Sequence, residues 1–340
     1  MKASLQQDAV KMSGRRAAWI FLLTAFAALG LGVDRSRADE AGISFWLPGL
    51  YGSFAAAPGE PGWSFATIYY HPSVSAGAGT AFPRGGQGRV DLGIEGRGDI
   101  VAFGPTYTFE QPLWGGQAAL SVLGVAGRNH ACVDATLTGP RGNTISGEQC
   151  EGFTGFGDLL PQFALKWNDG VNNYMTYVTG DIPVGAYDPD RLANTGLGHG
   201  AIDGGAGYTY LDPATGREFS IVAGLTYNFE NPDTDYQNGI DGHIDWAASQ
   251  FLNEHVHVGL VGYAYQQLTG DSGDGATLGD FKSRVFGIGP QIGYKFDVDD
   301  KTAGYVNLKG YYEFAAENRP EGWNVWLTLA FSPAAPKKSD

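Results

Sequence analysis

The stretch HVHVGLVGYAYQQL, residues 255–268, alternates between apolar and polar side chains. Val256, Val258 and Leu260 stand at even positions, while His255 and His257 stand at odd positions. Because successive side chains of a β-strand point to opposite faces, this period of two predicts a strand with one apolar face and one polar face.

A second stretch of the same kind is FKSRVFGIGPQIGYKF at 281–296. Phe286, Ile288 and Ile292 fall on one face of it, and Gln291 and Lys295 fall on the other. The polar, glycine-rich segment TGDSGDGATLGD separates the two runs. Two alternating runs around a hydrophilic segment predict a hairpin with a long loop.

The first residues of the chain have the features of a secretory signal peptide. A basic region that includes Arg15 and Arg16 precedes the apolar run 17–33, and Ser36-Arg37-Ala38 supplies small residues before a cleavage point. We therefore assign 1–38 to a signal peptide, with an uncleaved membrane anchor as the alternative.

Composition narrows the class of the mature chain. It has no second apolar run of helix-spanning length, which excludes a helical membrane protein. Removing the leader's six basic and two acidic residues takes the formal net charge from −14 to −18, so nucleic acid is excluded as a partner. The 52 glycines and 13% aromatic residues are typical of an all-β protein.

The alternating pattern recurs from Trp63 onward and predicts twelve strands. They lie near 62–71, 97–111, 117–130, 154–167, 171–183, 200–211, 217–230, 240–251, 255–268, 281–296, 303–315 and 323–331. Tight connections such as NDG at 168–170 alternate with long ones such as 72–96 and 131–153. An even strand count, with tight turns at one end and long loops at the other, is typical of outer-membrane barrels.

The facing of the side chains favours a barrel over a soluble sandwich, which also alternates. In 217–230 the apolar row that includes Phe219, Leu225 and Phe229 opposes Glu218 and Ser220, and it is aromatic at both ends, as at a membrane interface. We predict an all-β fold, an antiparallel transmembrane β-barrel over 62–331. It has short periplasmic turns, long extracellular loops and both termini in the periplasm of a Gram-negative cell.

Two terminal segments flank the predicted barrel. Residues 39–61 are apolar but interrupted by Pro48, Pro58 and Pro61. They are interpreted as a segment inside or under the barrel, with an additional irregular strand as the alternative. Residues 332–340 form a periplasmic tail.

Two cysteines, Cys132 and Cys150, occur in the whole chain. An even pair in an exported protein predicts a disulfide, worth about 3 kcal/mol on the chain-entropy model. Two buried free thiols are the alternative.

Several motifs resemble one family. PGLYGS at 48–53, GFGD at 155–158 and HIDWAASQFL at 243–252 are similar to outer-membrane proteins grouped under the meta-pathway of phenol degradation, and the resemblance extends over essentially the whole mature chain. It implies a channel-like barrel linked to the catabolism of aromatic or other hydrophobic compounds, with a role in their uptake.

If the apolar rows face lipid, the opposite rows face the lumen. The candidates for a lumen lining or a solute path are Asp158, Gln162, Lys166, His243, Asp245, His257, Tyr263, Tyr265, Gln291, Lys295, Lys309 and Glu313. They predict either a polar conduit lined by tyrosines and both signs of charge, or a network of cross-strand ion pairs and hydrogen bonds that ties the barrel together. The His243–Asp245 and His255–His257 pairs are weak metal candidates, the acidic loops lack a complete calcium-binding pattern, and no cofactor is expected.

Three functions follow in decreasing order. The first is a channel for small hydrophobic, aromatic compounds, surrounded by outer-membrane lipid and lipopolysaccharide. The second is a structural or partner-binding barrel with a sealed lumen. The third is an acyl hydrolase, for which Ser220 and Ser283 are the few candidates and no G-x-S-x-G motif is present. We therefore do not expect an enzyme.

Overall fold

The structure is a computed structural model that describes residues 44–81, 89–138, 143–276 and 282–335. The predicted signal peptide 1–38 and the final residues of the predicted tail lie outside these ranges. Among the described residues, no helix is long and apolar enough to cross a membrane.

Twelve strands account for most of the described chain. They are β1 Gly62–Ala81, β2 Arg89–Thr108, β3 Gln117–Thr138, β4 Thr144–Asp169, β5 Asn172–Asp181, β6 Ala201–Asp212, β7 Arg217–Asn228, β8 Asp241–Phe251, β9 Val256–Gln267, β10 Arg284–Asp297, β11 Thr302–Glu317 and β12 Glu321–Pro333.

The strands form one closed antiparallel sheet. Each pairs with its neighbours in sequence, and β1 closes the barrel on β12, with Phe65 opposite Phe331 and Ser75 opposite Glu321. The predicted fold, an antiparallel barrel of twelve strands, is confirmed.

From β4 to β11 the connections alternate in length, and they define a short-turn end and a long-loop end. The β4–β5 turn needs Gly170, whose φ of 63° lies in the left-handed region that glycine adopts without steric cost. In the β6–β7 turn, a hydrogen bond from the Thr215 hydroxyl lowers the pKa of Asp212. At the other end the β5–β6 connection, residues 182–200, is among the longest.

The two faces of the sheet have the predicted chemistry in β7 and β9. Phe219 and Leu225 are exposed on the outer face, whereas Glu218 is buried inside the barrel. In β9, Leu260 is exposed and His257 is fully buried. An apolar outer face around a polar interior is the arrangement of a barrel that stands in lipid.

The first four strands are longer than predicted. Residues 72–96 and 131–153 were expected to be loops, and this expectation is wrong over most of both ranges because the ladders continue without a break from Ser73 opposite Arg97 to Ala81 opposite Arg89. Glycine, serine and acidic residues give these segments the composition of loops. Ladder hydrogen bonds, however, join backbone groups and tolerate that composition. We call residues 71–81, 89–99, 128–138 and 144–154 the raised sheet.

Candidate functional site: the barrel lumen

Residues 44–61, which we call the plug segment, run as a series of turns inside the closed sheet and contain no strand. Their hydrogen-bond partners lie on the inward faces of β3, β4, β6, β7, β8, β10 and β11. A segment that meets the same face of seven strands of a closed barrel lies in its lumen.

Trp46 fixes the upper part of the plug segment. Its ring is buried and stacks on the His243 imidazole, with centroids 3.6 Å apart and planes inclined by 13°. The His243 Nε2 atom is 2.9 Å from Asp203 Oδ2. The imidazole therefore contacts Trp46 through its face and Asp203 through its edge. The indole also packs with Met175 and Tyr177 in one buried cluster.

A carboxylate and an ammonium group hold the backbone at residues 49–51. Asp245 accepts hydrogen bonds from the Gly49 and Tyr51 amides at 2.9 and 3.1 Å. Lys309 donates to the carbonyl oxygens of Gly49, Leu50 and Tyr51 at 2.7, 3.1 and 3.4 Å. Charge-assisted bonds of this kind are stronger than neutral ones, so this clamp is the strongest polar attachment of the segment.

Gly49 is required by the same clamp. Its φ of 89° is left-handed, and a Cβ at this position would lie 3.0 Å from the Tyr311 ring and 3.2 Å from the Tyr263 ring. Any other residue would be strained in its backbone and would press against two tyrosines.

Ser53 and Phe54 attach to a second acidic group. Glu218 accepts hydrogen bonds from the Ser53 hydroxyl at 2.8 Å and from the Phe54 amide at 3.2 Å. The Phe54 ring lies 4.1 Å below the Lys295 ammonium, which is a favourable cation–π distance.

The lower part of the plug segment is tied to the short-turn end. The Ala56 amide donates to the Thr209 hydroxyl at 3.0 Å, and Lys166 donates to the Ala57 carbonyl at 3.1 Å. The Gly59 amide donates to Gln117 at 2.9 Å, just before β1 begins.

These contacts define the anchoring side of the lumen, the inward-facing residues of β4–β11. Eight of the twelve predicted lumen residues contact the plug segment there: Gln162, Lys166, His243, Asp245, His257, Gln291, Lys295 and Lys309.

The other four predicted lumen residues also face inward. Asp158 accepts hydrogen bonds from the Gly185 and Leu197 amides of the β5–β6 connection. Tyr263 donates to Glu313 at 2.6 Å, and Tyr265 is buried beneath the Arg319 guanidinium.

The opposite part of the lumen has a different lining, which the sequence reasoning did not single out. We call the inward-facing residues of β1–β3 the apolar side; its polar members on β3 include Gln117, which binds Gly59 at the short-turn end, and Asn129, which lies beside Gly98. Along β2 every inward side chain from Val90 to Gly104 is apolar or absent, and the structure describes all residues of this strand. The row is Val90, Leu92, Ile94, Gly96, Gly98, Ile100, Ala102 and Gly104.

Solvent access also differs between the two sides. Inward residues of β5, β7, β8 and β9 are mostly buried, because they meet the plug segment or each other. On the apolar side Ile100, Ala102, Leu123 and Val125 remain half-buried. The open inner surface of the barrel therefore follows β1–β3.

Cys132 and Cys150 form a disulfide between β3 and β4 in the raised sheet. With His130 they make up a group of three close potential ligands, the only such group among the described residues. Both sulfurs are bonded to each other, so the group offers no thiolate to a metal ion.

Ser220, a candidate nucleophile, binds the plug segment. Its hydroxyl accepts a hydrogen bond from the Phe54 amide at 3.1 Å and lies 2.7 Å from the Thr209 hydroxyl. Its neighbours at hydrogen-bond distance are thus a threonine, a glutamate and a backbone amide rather than a histidine.

Comparisons with known proteins agree with this architecture. The model of a family described as "Putative MetA-pathway of phenol degradation" matches residues 78–329. No curated protein sequence matches the chain.

Two solved structures are similar in fold. An outer membrane channel from Pseudomonas putida F1 is 13% identical, with a TM-score of 0.57 over 83% of this chain and 98% of that one. A FadL homologue from Pseudomonas aeruginosa is 7% identical, with a TM-score of 0.38 over 80% of this chain and 89% of that one, which is too distant to support an argument. At these identities the likeness concerns the fold alone.

Proposed function

We propose that this chain, which belongs to the family of the MetA pathway of phenol degradation, is an outer-membrane channel through which small, neutral, hydrophobic compounds pass along the apolar side of the lumen. In this proposal the long-loop end faces the outside of a Gram-negative cell and the short-turn end faces the periplasm. Lipid and lipopolysaccharide surround the barrel.

The exposed outer face supports a membrane location. Aromatic side chains stand at both ends of the strands, such as Phe229 towards the long-loop end and Tyr294 towards the short-turn end. Aromatic residues at these levels are enriched where a barrel crosses the two interfaces of a membrane. The predicted leader 1–38 would deliver the chain to that location.

The observation that carries the proposal is the β2 row from Val90 to Gly104. An ion in contact with it would lose hydration and gain no hydrogen bond, whereas a neutral aromatic molecule would exchange water for apolar contact. Val74 and Pro72 of β1 lie beside the glycines at 96 and 98 and extend the apolar surface of the row.

The predicted lumen residues receive a different role under this proposal. Asp245, Lys309 and Glu218 hold the plug segment and so fill the polar part of the lumen. A filled polar side blocks water and ions, and it leaves the apolar side as the route for solutes. The Tyr263 ring lies beside Gly49, and its hydroxyl donates to Glu313.

Uptake of N-phenyl-1-naphthylamine, a neutral aromatic dye that fluoresces in apolar surroundings, tests the proposal. Vesicles with a lipopolysaccharide outer leaflet would be made with and without the protein. We expect the protein to raise the rate of dye uptake while the ionic current through it stays small. Equal dye rates with and without the protein would refute the channel.

A sealed barrel is the second candidate, and the closely bonded plug segment is the observation that favours it. The same vesicles separate the two functions. A protein that keeps its heat-modifiable mobility on gels, and so is folded, yet admits neither the dye nor ions would be a sealed barrel.

A further inference from the structure

The outer face of the raised sheet is polar, unlike the outer face of the barrel below it. In the lower part of β2 the outward side chains, such as Val101 and Phe103, are apolar, as a lipid-facing row requires. Above Ile100 the outward side chains are Asp99, Arg97 and Glu95, while the inward ones, such as Ile94 and Leu92, remain apolar.

The outer face changes in the same way in β3. Leu120 and Val122 point outward in the barrel, whereas Arg128 and Asp134 point outward in the raised sheet. Val133 and Leu137 take the inward positions, opposite Ile94 and Val90 of β2. The upper parts of β2 and β3 therefore build one apolar inner face, and on β4 Gln149 and Glu151 share the inward face with Ile145.

This inner face is open to solvent. Leu92 is 43% exposed, Ile94 42% and Ile145, on β4, 57%. The sheet continues for about eleven residues, or roughly 35 Å, beyond the outer apolar band. A contiguous apolar face at this height is costly in water, and such faces mark binding surfaces.

The outward face of the raised sheet is unsuited to lipid chains or to an apolar partner. Arg89 pairs with Asp91, and Arg97 lies 3.8 Å from Glu95. The disulfide between Cys132 and Cys150 stiffens the sheet from the same outward face. The apolar contact surface is thus turned towards the barrel mouth.

The inner face is continuous with the apolar side of the lumen. Below Ile94 the β2 row passes Gly96 and Gly98 and reaches Ile100, which packs with Tyr70 and Trp326 inside the barrel. The β5–β6 connection bonds to β4 through Glu151 and to β3 through the Asn129 amide, which donates to the Asn194 carbonyl. Val74 and Pro72 of β1 lie beside Gly96 and Gly98, whereas the Asn129 amide of β3 lies on the other side of Gly98. A molecule adsorbed on the raised sheet can therefore reach Ile100 along apolar side chains of β1 and β2.

We infer that the inner face of the raised sheet is a capture surface for neutral hydrophobic solutes, with Leu92, Ile94, Val133 and Leu137 as its centre. The inference rests on the proposed channel function and assigns its first binding step. It requires no covalent chemistry and no cofactor.

A matched pair of double variants on one strand tests the inference. Leu92→Ser with Ile94→Ser alters the inward face, and Asp91→Ser with Glu95→Ser alters the outward face as the control. Because the inward pair removes apolar contact, we expect it to raise the dye concentration for half-maximal uptake about tenfold and to leave the maximal rate unchanged. The outward pair should match the wild type. An inward pair with wild-type uptake at low dye concentration would overturn the capture surface.

Photolabelling gives a readout that is independent of transport. A neutral aryl diazirine, activated on vesicles that contain the protein, should label peptides from 89–99 and 128–138, and an excess of naphthalene should suppress the labelling. If the wild type shows this labelling but no dye uptake, the channel fails and the capture surface stands. If it takes up dye but is labelled elsewhere, the capture surface fails. If the raised sheets of two copies cross-link to each other instead, the face is a dimer interface and the inference is wrong.

Discussion

On the anchoring side of the lumen, Asp245 and Lys309 grip the backbone of residues 49–51, whereas on the apolar side the β2 row from Val90 to Gly104 offers solutes only hydrocarbon and glycine. Both sides belong to one barrel with the same strand geometry. One lumen can therefore have two chemically distinct sides. The charged side chains of the anchoring side hold the plug segment, and the uncharged apolar side stays open.

The plug segment also offsets the free-energy cost of burying the ionisable groups of the anchoring side. A buried charge is costly unless hydrogen bonds and an opposite charge surround it. The plug segment supplies backbone amides to Asp245 and Glu218 and carbonyl oxygens to Lys309. The barrel and the segment therefore satisfy each other.

Deleting residues 44–59 should have the largest effect, because it removes the peptide that covers the anchoring side of the lumen. Without the plug segment, the anchoring side becomes a water-filled wall of charges, and we expect single-channel ionic current in planar bilayers to rise by at least about tenfold. Deletion of the tail residues 336–340 is the control and should leave the current unchanged. A deletion protein that folds but conducts like the wild type would show that this segment does not close the polar side.

Lys309→Met tests the clamp alone. The methionine keeps the apolar stem and removes the charge with its three hydrogen bonds, so we expect a loss of about 3 kcal/mol in the free energy of unfolding, measured by urea titration in lipid. Lys301→Met, in the exposed β10–β11 turn, is the matched control and should change little. Equal stability of the two variants would mean that the clamp contributes nothing.

Ile100→Glu places a charge on the apolar side of the lumen. A carboxylate at mid-height on the apolar row forces hydrophobic solutes past a hydrated charge, and we expect dye uptake to fall about tenfold while the barrel still folds. Ile100→Val, which keeps an apolar row, should stay within about twofold of the wild type. Unchanged uptake in the glutamate variant would place the route elsewhere.

Replacing Cys132 and Cys150 together by serine should have the smallest effect. The disulfide joins neighbouring strands of the raised sheet, so its loss removes about 3 kcal/mol of local stability on the chain-entropy model. Hydrogen exchange of residues 128–154 should accelerate, and the heat-modifiable mobility of the barrel should persist. Loss of the folded gel band would show that the raised sheet supports the whole barrel.

Much of this architecture can be predicted from alternation alone. The phase of Val256, Val258 and Leu260 gives the outer face of β9, and the same reasoning gives all twelve strands. In β1–β4 it fails where the outward face becomes polar above Ile100, because Asp99 stands at a position that a lipid-exposed strand fills with an apolar residue. A glycine-rich segment with polar residues at such positions has the composition of a loop.

The division of the lumen could not be predicted in the same way. A polar row such as Asp241, His243 and Asp245 shows that the face avoids lipid, but it has the same appearance whether water or a peptide covers it. The covering peptide is more than 180 residues away in sequence, as the 196-residue separation of Gly49 and Asp245 shows. The prolines of the plug segment predicted irregular structure, but they did not indicate which strands the segment would contact.

Two single-cysteine variants test whether hydrophobic solutes follow the apolar side of the lumen. Ala102→Cys lies on the half-buried β2 row, and Ala247→Cys lies on the fully buried inner face of β8. Each variant adds one free thiol to a chain whose own two cysteines are bonded to each other.

Dye uptake would be measured in each variant before and after treatment with N-phenylmaleimide. We expect rapid labelling of Ala102→Cys with a fall in uptake of about tenfold, and slow labelling of Ala247→Cys with uptake unchanged. Full labelling of Ala102→Cys without loss of uptake, or rapid labelling of Ala247→Cys with loss of uptake, would contradict this expectation.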